Sequence, residues 1–131
     1  MPYLEILASP APAARKRTAV QALTRSLVEH FGVSPQTVTV FFVATREDDY
    51  AHAGQLGETT VGQRVFAKLH AYPRHLTQRR AVVAAMTPVL AACFCTSPAN
   101  VAIYFLDRAR DEVAHGGTLV CDEPLTCPVT P

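Results

Sequence analysis

The sequence repeats itself with an offset of 63 residues, and this repeat constrains the fold more than any other feature. When residues 2–57 are aligned with residues 65–120, no gap is needed and 17 of the 56 pairs are identical. Chance would give roughly one identity in fifteen pairs, so the sequence indicates a tandem duplication. The identical pairs include Ser34/Ser97, Phe42/Phe105 and His52/His115. Function is therefore expected at positions where the two copies differ.

Each copy is predicted to form a strand, a helix, a second strand and a turn. In the first copy the strands are expected at 3–8 and 37–44, where apolar and β-branched residues dominate. Between them, residues 13–31 place their apolar side chains on one helical face, and Gly32 is expected to end that helix. The second copy repeats the order, with strand, helix and strand at 65–71, 76 to about 95, and 100–106.

These elements predict an α+β fold made of a tandem β-α-β repeat. Strands joined through a helix run parallel with a right-handed crossover, so two units give a four-stranded mixed sheet with both helices on one face. The second sheet face also carries apolar residues, and no further helix remains to cover it, so other subunits are expected there. Residues 1–120 form one domain with repeats at 2–57 and 65–120, and the proline-rich residues 121–131 are expected to form an extended tail.

Composition excludes several classes of function. The formal net charge is +1 and the Lys and Arg residues are spread along the chain, which gives no basic surface for nucleic acid. No apolar run reaches the ~18 residues of a membrane helix, and the start lacks a secretory signal, so a cytoplasmic protein is expected. Cys93, Cys95, Cys121 and Cys127 do not match common zinc spacings, so free thiols and no metal site are predicted.

Three features together resemble the tautomerase superfamily: Met1-Pro2 leading directly into a strand, the duplicated β-α-β unit, and Arg74 just after the first strand of the second copy. The stretch 69–75 is similar to the arginine-bearing turn of malonate semialdehyde decarboxylases and cis-3-chloroacrylic acid dehalogenases. Residues 103–105 resemble a dehalogenase strand whose tyrosine positions substrate or water. The resemblance implies a tautomerase/MIF-like fold, a homotrimer built like the hexamer of the short 4-oxalocrotonate tautomerases, and removal of Met1.

The resemblance also implies the site residues. Without Met1, Pro2 is a secondary amine, and such α-amino groups titrate at roughly 7.7–8.0. Desolvation and a nearby arginine would lower its pKa further, which suits a general base. Arg74 would bind a substrate carboxylate through two parallel hydrogen bonds. Tyr104 and His115 are the further catalytic candidates, and Tyr50 is a candidate wall of the substrate pocket.

Other positions depart from the pattern of the characterised subgroups. The short tautomerases carry an arginine in the second strand, where this chain has Thr39 and Ala102. The decarboxylases place two arginines around a proline, where this chain has Tyr72-Pro73-Arg74. Substrates with two carboxylates are therefore less expected.

Three hypotheses remain open on the sequence. The first is a tautomerase or isomerase that moves a proton on a small 2-oxo acid or enol, with no metal or organic cofactor required. The second keeps the fold but uses protonated Pro2, with water activated near His115, for hydration, dehalogenation or decarboxylation of a small acid. The third is a non-catalytic trimeric member that serves in binding or assembly.

Overall fold

The computed structural model describes residues 2–57 and 62–124 and confirms the repeat. The first copy contains β1 (Tyr3–Ala8), α1 (Ala13–Phe31), β2 (Thr39–Ala44) and a small hairpin of β3 (Ala51–His52) and β4 (Gln55–Leu56). The second copy contains β5 (Val65–Ala71), α2 (Leu76–Cys93), β6 (Val101–Asp107) and a matching hairpin of β7 (Ala114–His115) and β8 (Thr118–Leu119). Met1, most of the segment between the copies and the tail from residue 125, including Cys127, lie outside the described residues.

Helix and strand boundaries follow the predictions with small differences. Gly32 follows α1 in the left-handed conformation (φ 67°), where a residue without Cβ is favoured, and its N–H donates to the carbonyl of Val28. The second strand of each copy starts later than predicted, because a short 3₁₀ turn precedes it, at Pro35–Thr37 and Pro98–Asn100. In each turn a serine side chain accepts a hydrogen bond from a backbone N–H. This role explains why both copies have Ser-Pro at this position.

The sheet has the strand order β2-β1-β5-β6 and is mixed, as predicted. Within each copy the strands are parallel, and the two copies meet through antiparallel pairing of β1 with β5. Tyr3 lies opposite His70, so the start of β1 meets the end of β5. This pairing places the beginning of the first copy beside the turn and loop that follow the strands of the second copy.

The hydrophobic core lies between the two helices and one face of the sheet. Leucine, isoleucine, valine and methionine side chains fill it, and the largest of them are almost completely buried: Leu4, Ile6, Leu23, Leu27, Val65, Leu69, Val82, Met86 and Leu90. Alternate residues of each strand reach this face, in keeping with the two-residue period of a strand. Both helices therefore cover the same face, as the repeat predicted.

The second face of the sheet has no helix over it in the described part of the chain. Its side chains form three rows across the strands: Thr39–Tyr3–His70–Leu106, Phe41–Glu5–Lys68–Tyr104 and Val43–Leu7–Phe66–Ala102. Phe41 and Tyr104 are each 55% exposed, and Val43 is 44% exposed. We refer to these three rows as the open face. Exposed aromatic side chains in a contiguous group are typical of a contact surface.

No helix among residues 2–57 and 62–124 has the length and apolar character needed to cross a membrane.

Candidate active site

Pro2 directly precedes β1, at the end of the sheet where the start of β1 lies beside the end of β5. Its side chain is almost completely buried, and its carbonyl accepts a hydrogen bond from the backbone N–H of Thr39 at 3.2 Å. The register of β1 and β5 places Tyr3, the residue after Pro2, opposite His70, four residues before Arg74. We call this end of the strands the Pro2 edge. The predicted removal of Met1 concerns a residue outside the described part of the chain.

Arg74 lies in the turn between β5 and α2, at the Pro2 edge. One of its terminal nitrogens, Nη1, donates to the carbonyls of Tyr72 at 2.9 Å and Pro73 at 3.3 Å. The guanidinium carbon lies 4.9 Å from the centre of the Phe31 ring, a cation–π distance. Within residues 2–57 and 62–124, Nε and Nη2 have no hydrogen-bond partner, so they remain available to a carboxylate. Burial lowers the pKa of Arg74, although an arginine stays protonated at neutral pH.

A cavity of about 390 Å³ opens at the same edge. Its walls come from the turn before β2, from the start of β2, from the residue after β5 and from the loop after β6. They are formed by Gln36, Thr37, Thr39, Tyr72, His115, Val120 and Glu123. Thr39 of the cavity wall donates its backbone N–H to the Pro2 carbonyl, and Tyr72 lies two residues after His70, which is the strand partner of Tyr3.

Tyr72 is the most buried polar side chain in the cavity wall. It is 9% exposed, and its hydroxyl oxygen is inaccessible to solvent without a hydrogen-bond partner in the described residues. Burial raises the pKa of Tyr72; nearby Arg110 opposes this rise, and Glu123 adds to it. The Arg110 guanidinium lies over the tyrosine ring, 5.1 Å from its centre. The phenol is therefore neutral at physiological pH and can donate a hydrogen bond.

A hydrogen-bonded group on the open face ties β1 to the loop that carries His115. The His70 Nε2 lies 3.0 Å from a carboxylate oxygen of Glu5, and its Nδ1 lies 3.1 Å from Nη2 of Arg108. A guanidinium can only donate, so Nδ1 must be the acceptor and Nε2 carries the hydrogen given to Glu5. The His70 ring also stacks on Tyr3 at 4.7 Å between centres. Through His70, these hydrogen bonds connect Glu5 of β1 with Arg108, the first residue after β6.

Tyr104 does not lie at the Pro2 edge of its own chain. It lies in the middle row of the open face, opposite Lys68, with its ring stacked on Phe66 at 5.7 Å. Three residues of strand, about 10 Å, separate its row from the strand position opposite Pro2. An exposed side chain in this position can contribute to a site only across a contact with another copy of the chain.

Tyr50 lies at the opposite edge of the sheet, in the loop after β2. Its hydroxyl accepts a hydrogen bond from the backbone N–H of Arg64 at 3.0 Å, just before β5 begins. Because β1 and β5 are antiparallel, this loop lies beside the end of β1, whereas Pro2 lies beside the start. Within one chain the fold thus groups Pro2, Arg74 and His115 at one edge and leaves Tyr50 and Tyr104 elsewhere. The roles of all five residues stay predictions.

Sequence reasoning did not select Tyr72 or Glu123 as site residues. The sequence did contain a signal for Tyr72, because the alignment of the two copies pairs it with Ser9. Like Arg74, it therefore occupies a position at which the copies differ. Glu123 has no counterpart within the aligned repeat, and only the fold brings it to the cavity.

The structure describes three of the four cysteines. Cys93, Cys95 and Cys121 are free thiols, and burial is the main cause that raises the pKa of Cys93. Across residues 2–57 and 62–124, no group of three or more histidine, cysteine or acidic side chains is arranged to hold a metal ion.

Comparison with known proteins gives a clear structural result. No protein-family model matches the chain, and no curated protein matches its sequence. The F6 fused 4-OT wild-type asymmetric trimer matches with a TM-score of 0.82 at 18% identity, over 91% of this chain and 96% of that one. This chain has the tautomerase-superfamily fold.

Two further solved structures support the same fold. Pt0534 inactivated by 2-oxo-3-pentynoate matches with a TM-score of 0.80 at 20% identity, over 91% of this chain and 96% of that one. N1, a member of the cis-3-chloroacrylic acid dehalogenase family, matches with a TM-score of 0.74 at 16% identity, over 89% of this chain and 82% of that one. At these identities the likeness concerns the fold, and the chemistry has to be argued from the site.

Proposed function

We propose that the chain is a cofactor-independent tautomerase or isomerase that moves a proton on a small 2-oxo acid or its enol, with Pro2 as the general base. One observation carries the proposal: the antiparallel pairing of β1 with β5 brings Pro2 to the edge where Arg74 and the cavity lie. An amine, an anion-binding guanidinium and a polar cavity are the groups that such a proton transfer requires.

The proposed mechanism starts from a chain without Met1, in which Pro2 has a free secondary amine. The burial of Pro2 and the positive charge of Arg74 both disfavour the ammonium form and lower the pKa of the amine. Arg74 binds the substrate carboxylate through the donors that the protein leaves free. Pro2 then takes the proton of the enol hydroxyl, whose electron pair forms the carbonyl, and returns the proton to the neighbouring carbon.

We further propose that the working form is a homotrimer in which the open faces meet. The uncovered aromatic side chains of that face and the trimeric state of the fused 4-OT structures support this assembly. In such a trimer Tyr104 could reach the site of a neighbouring copy and hydrogen-bond the developing enolate. The small carboxylate substrate is also in keeping with Pt0534, which is inactivated by a 2-oxo acid.

A second candidate function is favoured by the cavity walls. His115 and Glu123 both line the cavity beside Pro2, so an imidazole and a carboxylate are available to hold or activate a water molecule. With a protonated Pro2 as the acid, the same site would add water to an unsaturated acid, or support dehalogenation or decarboxylation.

Ketonisation of phenylenolpyruvate tests the proposed base. Pro2→Ala is expected to lower the rate by about tenfold or more, because the terminal alanine keeps a primary amine but loses the ring that restricts the orientation of the base. Pro98→Ala is the matched control, since this exposed proline begins a 3₁₀ turn of the second copy. Equal rates for the wild type and Pro2→Ala would contradict the proposal.

Mass spectrometry of the protein from its native host separates catalysis from a non-catalytic role. Loss of Met1 is expected, because only then does Pro2 have a basic nitrogen. Retained Met1 would leave an amide there and favour a binding or assembly protein.

A further inference from the structure

A groove lies between the two helices, at the end of the molecule remote from the Pro2 edge. Its volume is about 570 Å³, and its nine wall residues come from the first three turns of α1 and the last two turns of α2. None of them lines the cavity at the Pro2 edge. We call this feature the helix groove. Its volume falls in the range of roughly 300 to 1,000 Å³ that is typical of small-molecule sites.

The walls of the helix groove are mainly apolar. Four of the nine wall residues are alanines, whose small side chains leave the space between the helices unfilled. Pro88, Val89 and Cys93 add apolar surface, and burial raises the pKa of the Cys93 thiol, so this thiol stays neutral. At about 1.5 Å per helical residue, the groove runs for about 12 Å from Ala14 to Ala22, the length of an alkyl chain of about eight to ten carbons.

Arg15 places a guanidinium at one end of the helix groove. Its Nε donates to the carbonyl of Cys93 at 2.8 Å, and this bond holds the side chain across the gap between the helices. Its Nη1 and Nη2 have no hydrogen-bond partner in the part of the chain that the structure describes, and a pair of such donors matches the two oxygens of a carboxylate. The carbonyls of Leu90, Ala91 and Ala92 accept backbone hydrogen bonds, so the end of α2 is less able to repel an anion there.

The charge of the helices favours an anionic ligand. Together, α1 and α2 carry six of the twelve Lys and Arg residues of the chain and one of its eleven acidic residues. Six of the acidic residues lie instead in the 3₁₀ turns that follow β2, β6 and β8. The even distribution of charge along the sequence therefore becomes uneven in the fold, with a positive potential around the helix groove.

The repeat provides an internal comparison for the helix groove. The offset of 63 residues pairs Arg15 with Gln78 and Cys93 with His30. The Gln78 side chain donates to the His30 carbonyl at 3.4 Å, just as Arg15 donates to the Cys93 carbonyl. The same hydrogen bond thus joins the helices at both ends of the pair, but only one end has a guanidinium in this position.

The side chains around this shared hydrogen bond differ between the two ends. Three apolar wall residues of the helix groove correspond to polar or charged residues at the other end: Pro88/Arg25, Val89/Ser26 and Ala92/Glu29. The carboxylate of Glu29 would repel an anion, and its side chain would fill the space that Ala92 leaves open. The two ends therefore share their framework and differ in the surface that a ligand would meet.

We propose that the helix groove binds a fatty carboxylate with a linear apolar chain of about eight to ten carbons. The carboxylate pairs with Nη1 and Nη2 of Arg15, and the chain lies along the alanine walls towards Ala22 and Pro88. Removal of apolar surface from water supplies most of the affinity, and the charge pair fixes the direction of the ligand. The site is separate from the proposed active site, and neither inference depends on the other.

NMR titration of the full-length protein with three probes tests this inference. The probes are octanoate, butanoate with the same head group and a shorter chain, and 1-octanol with the same chain length and no charge. Octanoate is expected to bind about tenfold or more tightly than butanoate, because its longer chain buries more CH₂ groups. It is expected to bind about threefold to fivefold more tightly than 1-octanol, the contribution of an exposed charge pair. The resonances that shift should be those of residues 14–22 and 88–93.

Arg15→Gln tests the head-group contact. Glutamine is the residue of the second copy at this position, and it can still donate to the Cys93 carbonyl, so the helix packing is kept. The variant should bind octanoate and 1-octanol equally and keep the wild-type affinity for 1-octanol. Arg17→Gln is the matched control, because it removes the same charge from α1 outside the groove and should keep the preference for octanoate. A preference that survives Arg15→Gln would overturn the inference.

Ala92→Glu tests the groove itself, because it introduces the residue that the first copy has at this position. It should abolish the binding of octanoate, whereas Ala84→Glu, on an exposed part of α2 outside the groove, should not. Unchanged affinity in Ala92→Glu, equal affinities of the wild type for octanoate and butanoate, or shifts centred on the cavity at the Pro2 edge would each contradict the inference. So would a smaller assembly of Ala92→Glu in sedimentation, since another copy of the chain would then cover the groove.

Discussion

Phe31 supports the guanidinium of Arg74, and a pair of substitutions can separate this role from ordinary packing. Phe31 is 5% exposed and lies at the end of α1, with the Arg74 guanidinium carbon 4.9 Å above its ring. The ring centre of Phe105 lies 6.5 Å from that of Phe31. The guanidinium carbon of Arg79 lies over the Phe105 ring in the same way, 5.0 Å from its centre. Phe105→Leu is therefore a matched control for Phe31→Leu, because each removes an aromatic ring beneath one arginine.

The expected loss of stability follows from these contacts. Replacing a buried phenylalanine by leucine costs about 1 kcal/mol of packing, and the lost cation–π contact adds about 0.5 to 1 kcal/mol. Phe31→Leu should thus lower the free energy of unfolding by about 1.5 to 2 kcal/mol, and Phe105→Leu by a similar amount. For a chain of this length the melting temperature should fall by roughly 4 to 8 °C.

Ligand affinity should distinguish the two variants. Without the ring of Phe31 the Arg74 guanidinium is less firmly held, so Phe31→Leu should weaken the binding of 2-oxobutanoate about twofold to fivefold, the equivalent of one cation–π contact. Phe105→Leu should leave that affinity unchanged. NMR titration measures the affinity, and urea denaturation at one protein concentration measures the stability. Equal losses of affinity in both variants would refute the role of Phe31.

Two further predictions concern the open face. The pKa of Glu5 is lowered in the folded protein, mainly by its hydrogen bond to His70. The ionised carboxylate therefore stabilises the folded state at a pH above the ordinary carboxyl pKa of 4.5. This stabilisation is lost as the pH falls through the lowered pKa of the folded protein. Urea denaturation should show the wild type gaining stability over Glu5→Gln as the pH rises from 3 to 6, and parallel profiles would contradict this. If the open faces meet in a trimer, Phe41→Asp should give a smaller species in sedimentation, because a charge would be buried at the contact, whereas Val83→Asp on α2 should not. An unchanged assembly of Phe41→Asp would place the contact elsewhere.

The elements of the fold could be predicted because their signals are local. Apolar spacing along the chain distinguishes a strand from a helix, and Gly32 provides the left-handed residue that ends α1. The alignment of the two copies then required that both helices cover the same face. The start of β2 was predicted two residues early, because the Ser34 side chain holds a 3₁₀ turn that β-branched composition does not reveal.

The sequence by itself determined the repeat and its strands and helices. It also identified Pro2 and Arg74 as positions at which the two copies differ. Tertiary structure alone decided which of these positions meet. Periodicity determines which face of a strand is buried, but it does not determine which strands of the two copies pair or in which direction. The antiparallel pairing of β1 with β5 brings the start of β1 beside the end of β5, which leads to Tyr72 in the cavity wall, and it leaves Tyr50 at the far end of the strands.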